Sequence, residues 1–356
     1  MRHPNFLATL VPLATCSLLG SLLVAETALA AEGRTEIATP TTISAPGHYI
    51  VTANITATVG AAVLISAKHV DLDLNGRTLS TTATGGSIIE ISSAADDVRI
   101  YNGHLGSAYR GIYAPASPGL TLVMERLVIE GVTTSAIELN GAAHVELGGS
   151  QILNAASYGL IAYGVSGEPI TGSLVRNSIG GSAYCIAVVN LGPMLVKDNV
   201  LTGCGTALQL GTVGTAPAGS GSGGAIVTGN TVRNSNAGIS LEGSARGSQV
   251  LGNTAQECGI GILVNARGSR IAENLISRSR PTLAIGTGIH VSGAHNLLEG
   301  NLVEGSAACG LLFSGTTAAR NVFRNNVFRD NVGGAVCYTN GAIPIQAVFD
   351  GGGNIL

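Results

Sequence analysis

A short pattern that occurs twice between residues 225 and 264 constrains the fold more than any other feature of the sequence. Residues 227–232 match residues 250–255, and residues 238–241 match residues 261–264, so that Asn230 and Asn253 lie 23 residues apart. The same frame recurs with steps of 31, 23, 21, 27 and 25 residues between successive asparagines. Self-similarity at a period of this size predicts a solenoid, because each repeat can bury its apolar face only against its neighbours.

Each repeat contains two or three short runs in which apolar and polar residues alternate, separated by Gly, Asn and Ser. Alternation with a period of two predicts β-strands, and no repeat contains an apolar stripe long enough for a crossover helix. Three short strands in ~22 residues predict a parallel β-helix, in which each coil pairs with the next at about 4.7–4.9 Å. We therefore predict an all-β, single-stranded parallel β-helix of about twelve coils.

The inward-facing side chains of such a solenoid stack on their equivalents in the next coil. Two aliphatic rows form the predicted core. We align them as Leu208, Ile239, Ile262, Ile289 and Leu311 in one row, and Leu210, Leu241, Val264, Val291 and Phe313 in the other.

The recurring asparagine has a structural explanation. A sharp bend between strands needs a residue that tolerates the left-handed conformation, and Asn does so while its amide can bond the equivalent residue of the next coil. A ligand-binding role is the alternative. We predict an internal ladder that consists of Asn199, Asn230, Asn253, Asn274, Asn301 and Asn326.

Composition indicates a single domain with few charged residues and a net charge close to zero. The 356 residues include 51 Gly and no Trp, 11% of them are charged, and the net charge is −3. This suits a solenoid with many turns and a narrow aliphatic core. We expect a monomer that binds a polysaccharide or another glycan and that does not bind nucleic acid.

The N-terminus indicates export. Residues 1–30 are predicted to be a secretory signal peptide cleaved after about Ala30, because Arg2 and His3 precede a long apolar run that ends in small residues. Residues 31–42 follow as an N-terminal leader, and residues 43–356 form the predicted β-helix domain. No later segment reaches the ~18 uninterrupted apolar residues of a membrane span. The mature chain is therefore expected to be secreted or periplasmic.

Export allows cysteines to pair. An odd number of them leaves at least one unpaired within a monomer, and a bridge between Cys185 and Cys204 is open but not favoured, since their offsets in adjacent coils differ by three residues. We favour small, buried packing residues. The cysteines beyond Cys16 are Cys185, Cys204, Cys258, Cys309 and Cys337.

Two stretches near the N-terminus resemble a known class of proteins. Residues 43–49 read Ile-Ser-Ala-Pro-Gly-His-Tyr, and residues 70–79 read Val-Asp-Leu-Asp-Leu-Asn-Gly-Arg-Thr-Leu. Stretches of this form open many exported right-handed parallel β-helix proteins of the pectin-lyase-like class, and the resemblance covers nearly all of the mature chain. It implies a right-handed β-helix, whereas the class includes lyases, hydrolases, epimerases and non-catalytic proteins. Asp71 and Asp73 alternate with leucines, and we predict that both face solvent.

Motifs of characterised members of the class are absent. The chain lacks an Asp-Pro-His-Asp string as in alginate epimerases, a close Asp pair with Gly-His-Gly as in polygalacturonases, and an Arg-x-Pro-x-x-Arg pattern as in pectate lyases. No carboxylate cluster indicates calcium, so we predict no cofactor, with calcium as the open alternative. Three Met and seven scattered His make a copper-handling role, as in relatives that mature nitrous-oxide reductase, a weak analogy.

Polar residues cluster on the outward face of the strand that follows the recurring Gly. Aligned by coil, this face carries two outward rows, whose members are otherwise mostly apolar or small. The first polar cluster consists of Tyr113, Glu138, Asn140 and Tyr163, and the second of Gln209, Glu242, Asn265 and His290.

Cations recur in the turn after that strand in four consecutive coils. A positive edge beside a polar groove suits an acidic polysaccharide, because a guanidinium can hold a carboxylate in a two-point fork. A solvated edge that discourages aggregation is the alternative. The predicted substrate-binding residues are Gln209, Asn265, Arg246, Arg267, Arg270, His295 and Arg320.

Elimination or epimerisation of a uronate polymer needs a cation that neutralises the carboxylate, a base near C5 and a proton donor. His290 is the candidate base, with Glu242 orienting it. Glu138 and Glu242 lie four coils apart, about 20 Å, which is too far for the carboxylate pair of a hydrolase. Two hypotheses follow: a β-helix protein that binds, and in one form processes as a lyase or epimerase, an acidic polysaccharide, or a non-catalytic periplasmic or surface binding protein.

Overall fold

The computed structural model describes residues 33–165, 168–212, 223–281, 285–315, 317–339 and 348–356. They form parallel β-strands and no helix, stacked as a right-handed β-helix of about twelve coils, as the repeat and the resemblance predicted. No helix of these residues is long and apolar enough to cross a membrane. The predicted signal peptide, residues 1–30, lies outside the described residues.

The strands are short, apart from two that run through two corners of their coils. In chain order they are β1 Thr35–Ile37, β2 Thr41–Ile43, β3 Gly47–Val51, β4 Ile55–Ala57, β5 Val63–Ile65, β6 Val70–Asp73, β7 Thr78–Thr81, β8 Ser87–Ile91, β9 Asp97–Ala114, β10 Thr121–Asn140, β11 His144–Gly148, β12 Gln151–Leu153, β13 Tyr158–Tyr163, β14 Ile170–Val175, β15 Ser178–Gly180, β16 Tyr184–Val189, β17 Leu191–Lys197, β18 Val200–Thr202, β19 Thr206–Leu210, β20 Ala225–Thr228, β21 Thr231–Arg233, β22 Ala237–Leu241, β23 Gln249–Leu251, β24 Thr254–Gln256, β25 Ile260–Val264, β26 Arg270–Ala272, β27 Leu275–Ser277, β28 Thr287–Val291, β29 Leu297–Glu299, β30 Leu302–Glu304, β31 Cys309–Phe313, β32 Asn321–Arg324, β33 Val327–Arg329, β34 Gly334–Tyr338 and β35 Val348–Asp350.

Each coil contributes one strand to each of three parallel sheets. In the coil of β20, β21 and β22, β20 pairs with β23, β21 with β24 and β22 with β25, and the same step of three strands repeats along the solenoid. We call the sheets of β20, β21 and β22 sheets 1, 2 and 3. The first corner joins sheets 1 and 2, the second joins sheets 2 and 3, and the third leads from sheet 3 into the next coil.

The ladder asparagines do not themselves adopt the left-handed conformation. At the first corner that conformation belongs to the preceding residue, for example Gly229 (φ 67°), Glu273 (φ 59°) and Asn325 (φ 53°). The sequence-based explanation of the bend was therefore wrong by one residue. The physical reason is that the turn residue points outward, whereas the residue after it must point inward to reach the next coil.

The asparagines form one buried hydrogen-bonded ladder. The backbone N–H and the Nδ2 of Asn230 both donate to Oδ1 of Asn253, each at 2.9 Å. Nδ2 of Asn253 in turn donates to the carbonyl oxygen of Val227 at 2.9 Å. Each ladder residue thus satisfies backbone groups that the corner would otherwise leave buried and unpaired. The same pattern links Asn177, Asn199, Asn230, Asn253, Asn274, Asn301, Asn326 and Asn354.

The two predicted core rows are confirmed by the strand register. Ile239 pairs with Ile262 and Leu241 with Val264, and all members of both rows are fully buried. Packing also explains the recurring Gly at the second position of sheet 3 strands. A Cβ on Gly261 would lie 2.7 Å from the carbonyl oxygen of Gly288 in the next coil, so the backbones can stack only without a side chain there.

Pairing begins before residue 43. β1 and β2 lie largely within residues 31–42 and pair with β3 and β5. The prediction that Asp73 faces solvent is wrong, since this residue is only 8% exposed. Its carboxylate accepts hydrogen bonds from Arg34 Nη1 at 3.0 Å and from the backbone N–H of Asn75 at 2.8 Å. β6 ends at Asp73, and the side chain closes the turn that follows.

Four cysteines form two disulfides, contrary to the preference for unpaired packing residues. Cys185 is bonded to Cys204, and Cys309 to Cys337, with Cα separations of 5.8 and 6.0 Å. The sequence left the bridge between Cys185 and Cys204 open but did not favour it, because of their three-residue offset. Cys258 is unpaired, and burial raises the pKa of its thiol to about 11.

The ladder predicts that Asn253→Ala destabilises the protein by about 3 kcal/mol, because the Asn230 N–H and the Val227 carbonyl lose their partner while buried. Urea unfolding measures the loss, and hydrogen exchange of the Asn230 amide locates it. Gln249→Ala, which removes an exposed side chain on β23, serves as the control. Equal stability of the two variants would contradict a ladder that stabilises the solenoid.

Candidate functional site

Sheet 3 carries the outward rows that contain both polar clusters. Its register stacks Tyr113, Glu138, Ile161, Ala187, Gln209, Ser240, Leu263, His290 and Leu312 in one row. The row continues at Cys337, because Leu312 pairs with Cys337.

Glu242 lies at the end of a sheet 3 strand and is only 6% exposed. Its Oε1 accepts a hydrogen bond from Ser240 Oγ at 2.7 Å, and its Oε2 accepts one from Asn265 Nδ2 at 2.9 Å. Ser292 in turn donates its hydroxyl to Asn265 Oδ1. The buried carboxylate is thus held by neutral donors, and no cation of the described residues pairs with it.

His290 lies two coils from Glu242, a distance of about 10 Å along the solenoid. Its Nε2 is 2.6 Å from Ser314 Oγ, while Nδ1 is buried without a partner among the described residues. Burial lowers the pKa of His290 below its usual 6.5. The predicted pair in which Glu242 orients His290 is therefore not formed, because coil stacking separates the two side chains and gives each another partner.

Three arginines and a histidine at the third corner form what we call the cationic corner: Arg246, Arg267, His295 and Arg320. All four are exposed, and none has an ion pair or a side-chain hydrogen bond within the described residues. The N–H of Gly247 bonds the carbonyl of Arg267, and that of His295 bonds the carbonyl of Ala319. This register stacks Arg246 on Arg267 and His295 on Arg320, at about 4.8 Å between adjacent coils.

The local sequence supplies no counter-charge to the cationic corner. Residues 243–248, 265–269, 292–296 and 314–321 contain no Asp or Glu, and Glu242, which precedes the first of these ranges, bonds Ser240 and Asn265 instead of a cation. Like charges that face each other on adjacent strands repel. The cationic corner therefore has the electrostatics of a site for an anionic ligand that spans several coils.

Arg270 does not belong to the cationic corner. It lies on β26, and its Nε donates to Glu299 Oε1 at 2.7 Å, while Arg324 Nη2 donates to Glu299 Oε2 at 2.8 Å. These two hydrogen bonds lower the pKa of Glu299. Arg270 lies three residues after Arg267, in a strand of sheet 1, and its side chain contacts the neighbouring strand of that sheet. The sequence alignment grouped Arg270 with the turn and was wrong there.

The first polar cluster is larger than the sequence indicated. Arg110 Nε donates to Glu138 Oε2 at 2.8 Å, and the same guanidinium lies over the ring of Tyr113, 4.3 Å from its centroid. Asn140 is half-buried and pairs in register with Tyr163 on the next coil. Arg110 was missed because it precedes the recurring Gly, where the alignment expected no outward side chain.

A hollow of about 240 Å³ lies beside this cluster on the outward face of sheet 3. Tyr158 and Tyr184 stack on adjacent coils with 5.2 Å between ring centroids. We call this space the tyrosine hollow, with walls of Tyr158, Tyr163 and Tyr184, a floor of Ile161 and Ala187, and Gln209 at its rim. A Tyr at the start of two successive sheet 3 strands was a signal in the sequence that the row alignment did not use.

Side chains that bind soft metals are dispersed. Met124 and Met194 are buried in the core, four cysteines are in disulfides, and Cys258 is buried. Within the described ranges, no three His, Cys, Asp or Glu side chains come together as a metal site.

Several solved structures are similar to this chain at low sequence identity. A tailspike protein of bacteriophage CBA120 is 15% identical over 83% of this chain and 38% of its own, with a TM-score of 0.37. An α-1,3-glucanase of Streptomyces thermodiastaticus is 16% identical over 88% and 62%, with a TM-score of 0.46. The A-module of a mannuronan C-5 epimerase of Azotobacter vinelandii is 12% identical over 90% and 91%, with a TM-score of 0.43. The chain thus spans less than two thirds of the first two, and these likenesses carry no inference about function.

No curated protein matches the chain significantly. A family model described as "NosD: Periplasmic copper-binding protein (NosD)" matches residues 41–340, which include nearly all of the β-helix. The protein therefore belongs to the NosD family of periplasmic proteins.

Proposed function

We propose that this protein is a periplasmic, non-catalytic β-helix protein that binds an acidic polysaccharide along the cationic corner. The observation that carries the proposal is that Arg246, Arg267, His295 and Arg320 lie at the third corner of four consecutive coils, exposed and without ion pairs among the described residues. Export through the predicted signal peptide, residues 1–30, is part of the proposal.

A linear polyanion fits this row better than a small anion does. The four coils extend over about 15 Å, so that no compact anion can contact every member. A polymer with carboxylates spaced along its chain can reach cations of different coils at once, and each Arg can hold one carboxylate in a two-point fork. Pairing also removes the repulsion between stacked like charges.

Processing of the polymer is not supported by the geometry around His290. A general base needs access to the substrate proton and a group that orients it. The Nε2 of His290 is engaged with Ser314, and Glu242 is engaged with Ser240 and Asn265. Glu242 and His290 thus belong to two separate hydrogen-bonded groups, and no second group orients His290 as a base, which supports binding without chemistry.

The family description names copper, but the described residues do not fit a copper site. Copper sites use converging His, Cys or Met side chains. Here both described methionines are buried in the core and four of the described cysteines are oxidised, and no three donor groups converge in the described ranges. We therefore derive no copper chemistry for this chain.

The proposal predicts that Arg246→Ala/Arg267→Ala weakens binding to alginate or pectate about tenfold at low ionic strength, because two charge-assisted contacts are lost. Isothermal titration calorimetry measures the affinity. The loss should shrink as salt is added, since exposed charges are screened.

Arg77→Ala/Arg233→Ala is the matched control, because both arginines are exposed, lie outside the cationic corner and change the net charge equally. Equal loss in the two double variants would show that net charge alone governs binding and would overturn the proposal. Tighter binding of single-stranded DNA than of the uronate polymers would assign the cationic corner to another class of ligand.

The proposed function also predicts that the protein does not cleave or epimerise the polymer. Prolonged incubation of the wild-type protein with alginate or pectate should produce no unsaturated chain ends and no change in uronate composition, which ultraviolet absorbance and proton NMR detect. Turnover that His290→Ala abolishes would contradict the non-catalytic assignment.

The burial of His290 predicts the sign of a pH effect. Because its folded-state pKa is lowered, the unfolded chain binds a proton more readily as the pH falls through 6.5, and the free energy of unfolding decreases. The loss levels off below the folded-state pKa. Urea unfolding from about pH 8 to about pH 5 measures the slope, which should be smaller in His290→Gln. An identical slope in both proteins would exclude His290 as its source.

A further inference from the structure

The tyrosine hollow is built on side chains that point away from the core. Ile161 and Ala187 belong to the outward row of sheet 3, yet they are only 3% and 2% exposed. Tyr158 and Tyr184 begin their strands on one side of this floor, and Tyr163 ends its strand on the other. The result is a recess with aromatic walls and an apolar floor on a face that would otherwise be flat.

Polar groups surround the aromatic walls. Gln209 lies at the rim, and Glu138 is close enough to Tyr158 and Tyr163 to act on them electrostatically. Burial raises the pKa of both tyrosines, and the adjacent tyrosine and Glu138 raise it further. Their protonated hydroxyls can donate hydrogen bonds. Apolar walls with a few polar groups are the usual composition of a small-ligand site.

The tyrosine hollow adjoins the cationic corner. Thr212 also lines the hollow, and its backbone N–H donates to Ser244 Oγ at 2.8 Å. Ser244 is two residues before Arg246, the first member of the cationic corner. From Tyr158 to Arg320 the path crosses seven successive coils, about 30 Å along the solenoid.

We propose that the tyrosine hollow is a stacking subsite for an uncharged pyranose ring of the same polysaccharide that binds the cationic corner. The C–H face of a pyranose packs against an aromatic ring, and its hydroxyls pair with the tyrosine hydroxyls and the Gln209 amide. The ligand is then a heteropolysaccharide in which uncharged and acidic sugars occur in one chain. This inference rests on the proposed function, because the cationic corner defines the path of the polymer.

The test compares two probes. Oligosaccharides of hyaluronan alternate glucuronate with uncharged N-acetylglucosamine, whereas oligogalacturonate of equal charge contains only acidic sugars. Binding is measured by calorimetry and by tyrosine emission, which is interpretable because the chain has no Trp. The wild-type protein should bind the hyaluronan probe more tightly, and Tyr163→Ala should weaken that probe about fivefold while leaving oligogalacturonate within about twofold.

Tyr109→Ala is the matched control, since Tyr109 and Tyr163 are similarly exposed, at 39% and 37%, and Tyr109 is not part of the tyrosine hollow. Tyr158→Phe/Tyr184→Phe keeps the ring stack and removes only hydroxyls, so it tests the hydrogen bonds without disturbing the fold. It should reduce the preference for the hyaluronan probe.

The outcomes separate the two proposals. If Arg246→Ala/Arg267→Ala weakens both probes but Tyr163→Ala behaves like Tyr109→Ala, the subsite is overturned and the proposed function stands. If the arginine variant binds both probes as the wild-type protein does, the proposed function fails. Loss of the hyaluronan preference in both tyrosine variants, together with general weakening in the arginine variant, supports both.

Discussion

The buried backbone N–H groups at the corners are the constraint on which the rest of this structure depends. At many corners the chain turns through a residue in the left-handed conformation, and the next N–H faces the interior. A side-chain oxygen from the following coil accepts it, as Asn253 does for Asn230 and Asn321 does for Asn296. A coil is therefore incomplete without its neighbour, which sets the register of the whole solenoid to within one residue.

Because the buried ladders fix the register of the coils, the outward side chains can vary without changing that register. Outward side chains do not take part in the ladders, and several of them form ion pairs between neighbouring coils, such as Arg99 with Glu125 and Arg329 with Glu304. The third corner departs from that arrangement, since Arg246 stacks on Arg267 there.

The inner half of this architecture could be predicted from sequence, because period-two alternation and the repeat fix which side chains point inward. Ile239 and Ile262 were placed correctly for that reason. Contacts on the outer face could not be predicted in the same way, since they depend on small shifts and on side-chain reach across coils. Glu242 binds Asn265 one coil away and not His290 two coils away, and Tyr158 shares a wall with Tyr184 although neither follows the recurring Gly.

The two disulfides have a consequence for how the solenoid comes apart. A stack of coils that contact only their neighbours tends to fray from its ends, one coil at a time. Cys309–Cys337 fastens the coil of β34 to the coil before it, and Cys185–Cys204 clamps two coils beside the tyrosine hollow. Fraying that starts at β34 must therefore release two coils together. In the oxidising compartment outside the cytoplasm these clamps persist, and in a reducing one they would be lost.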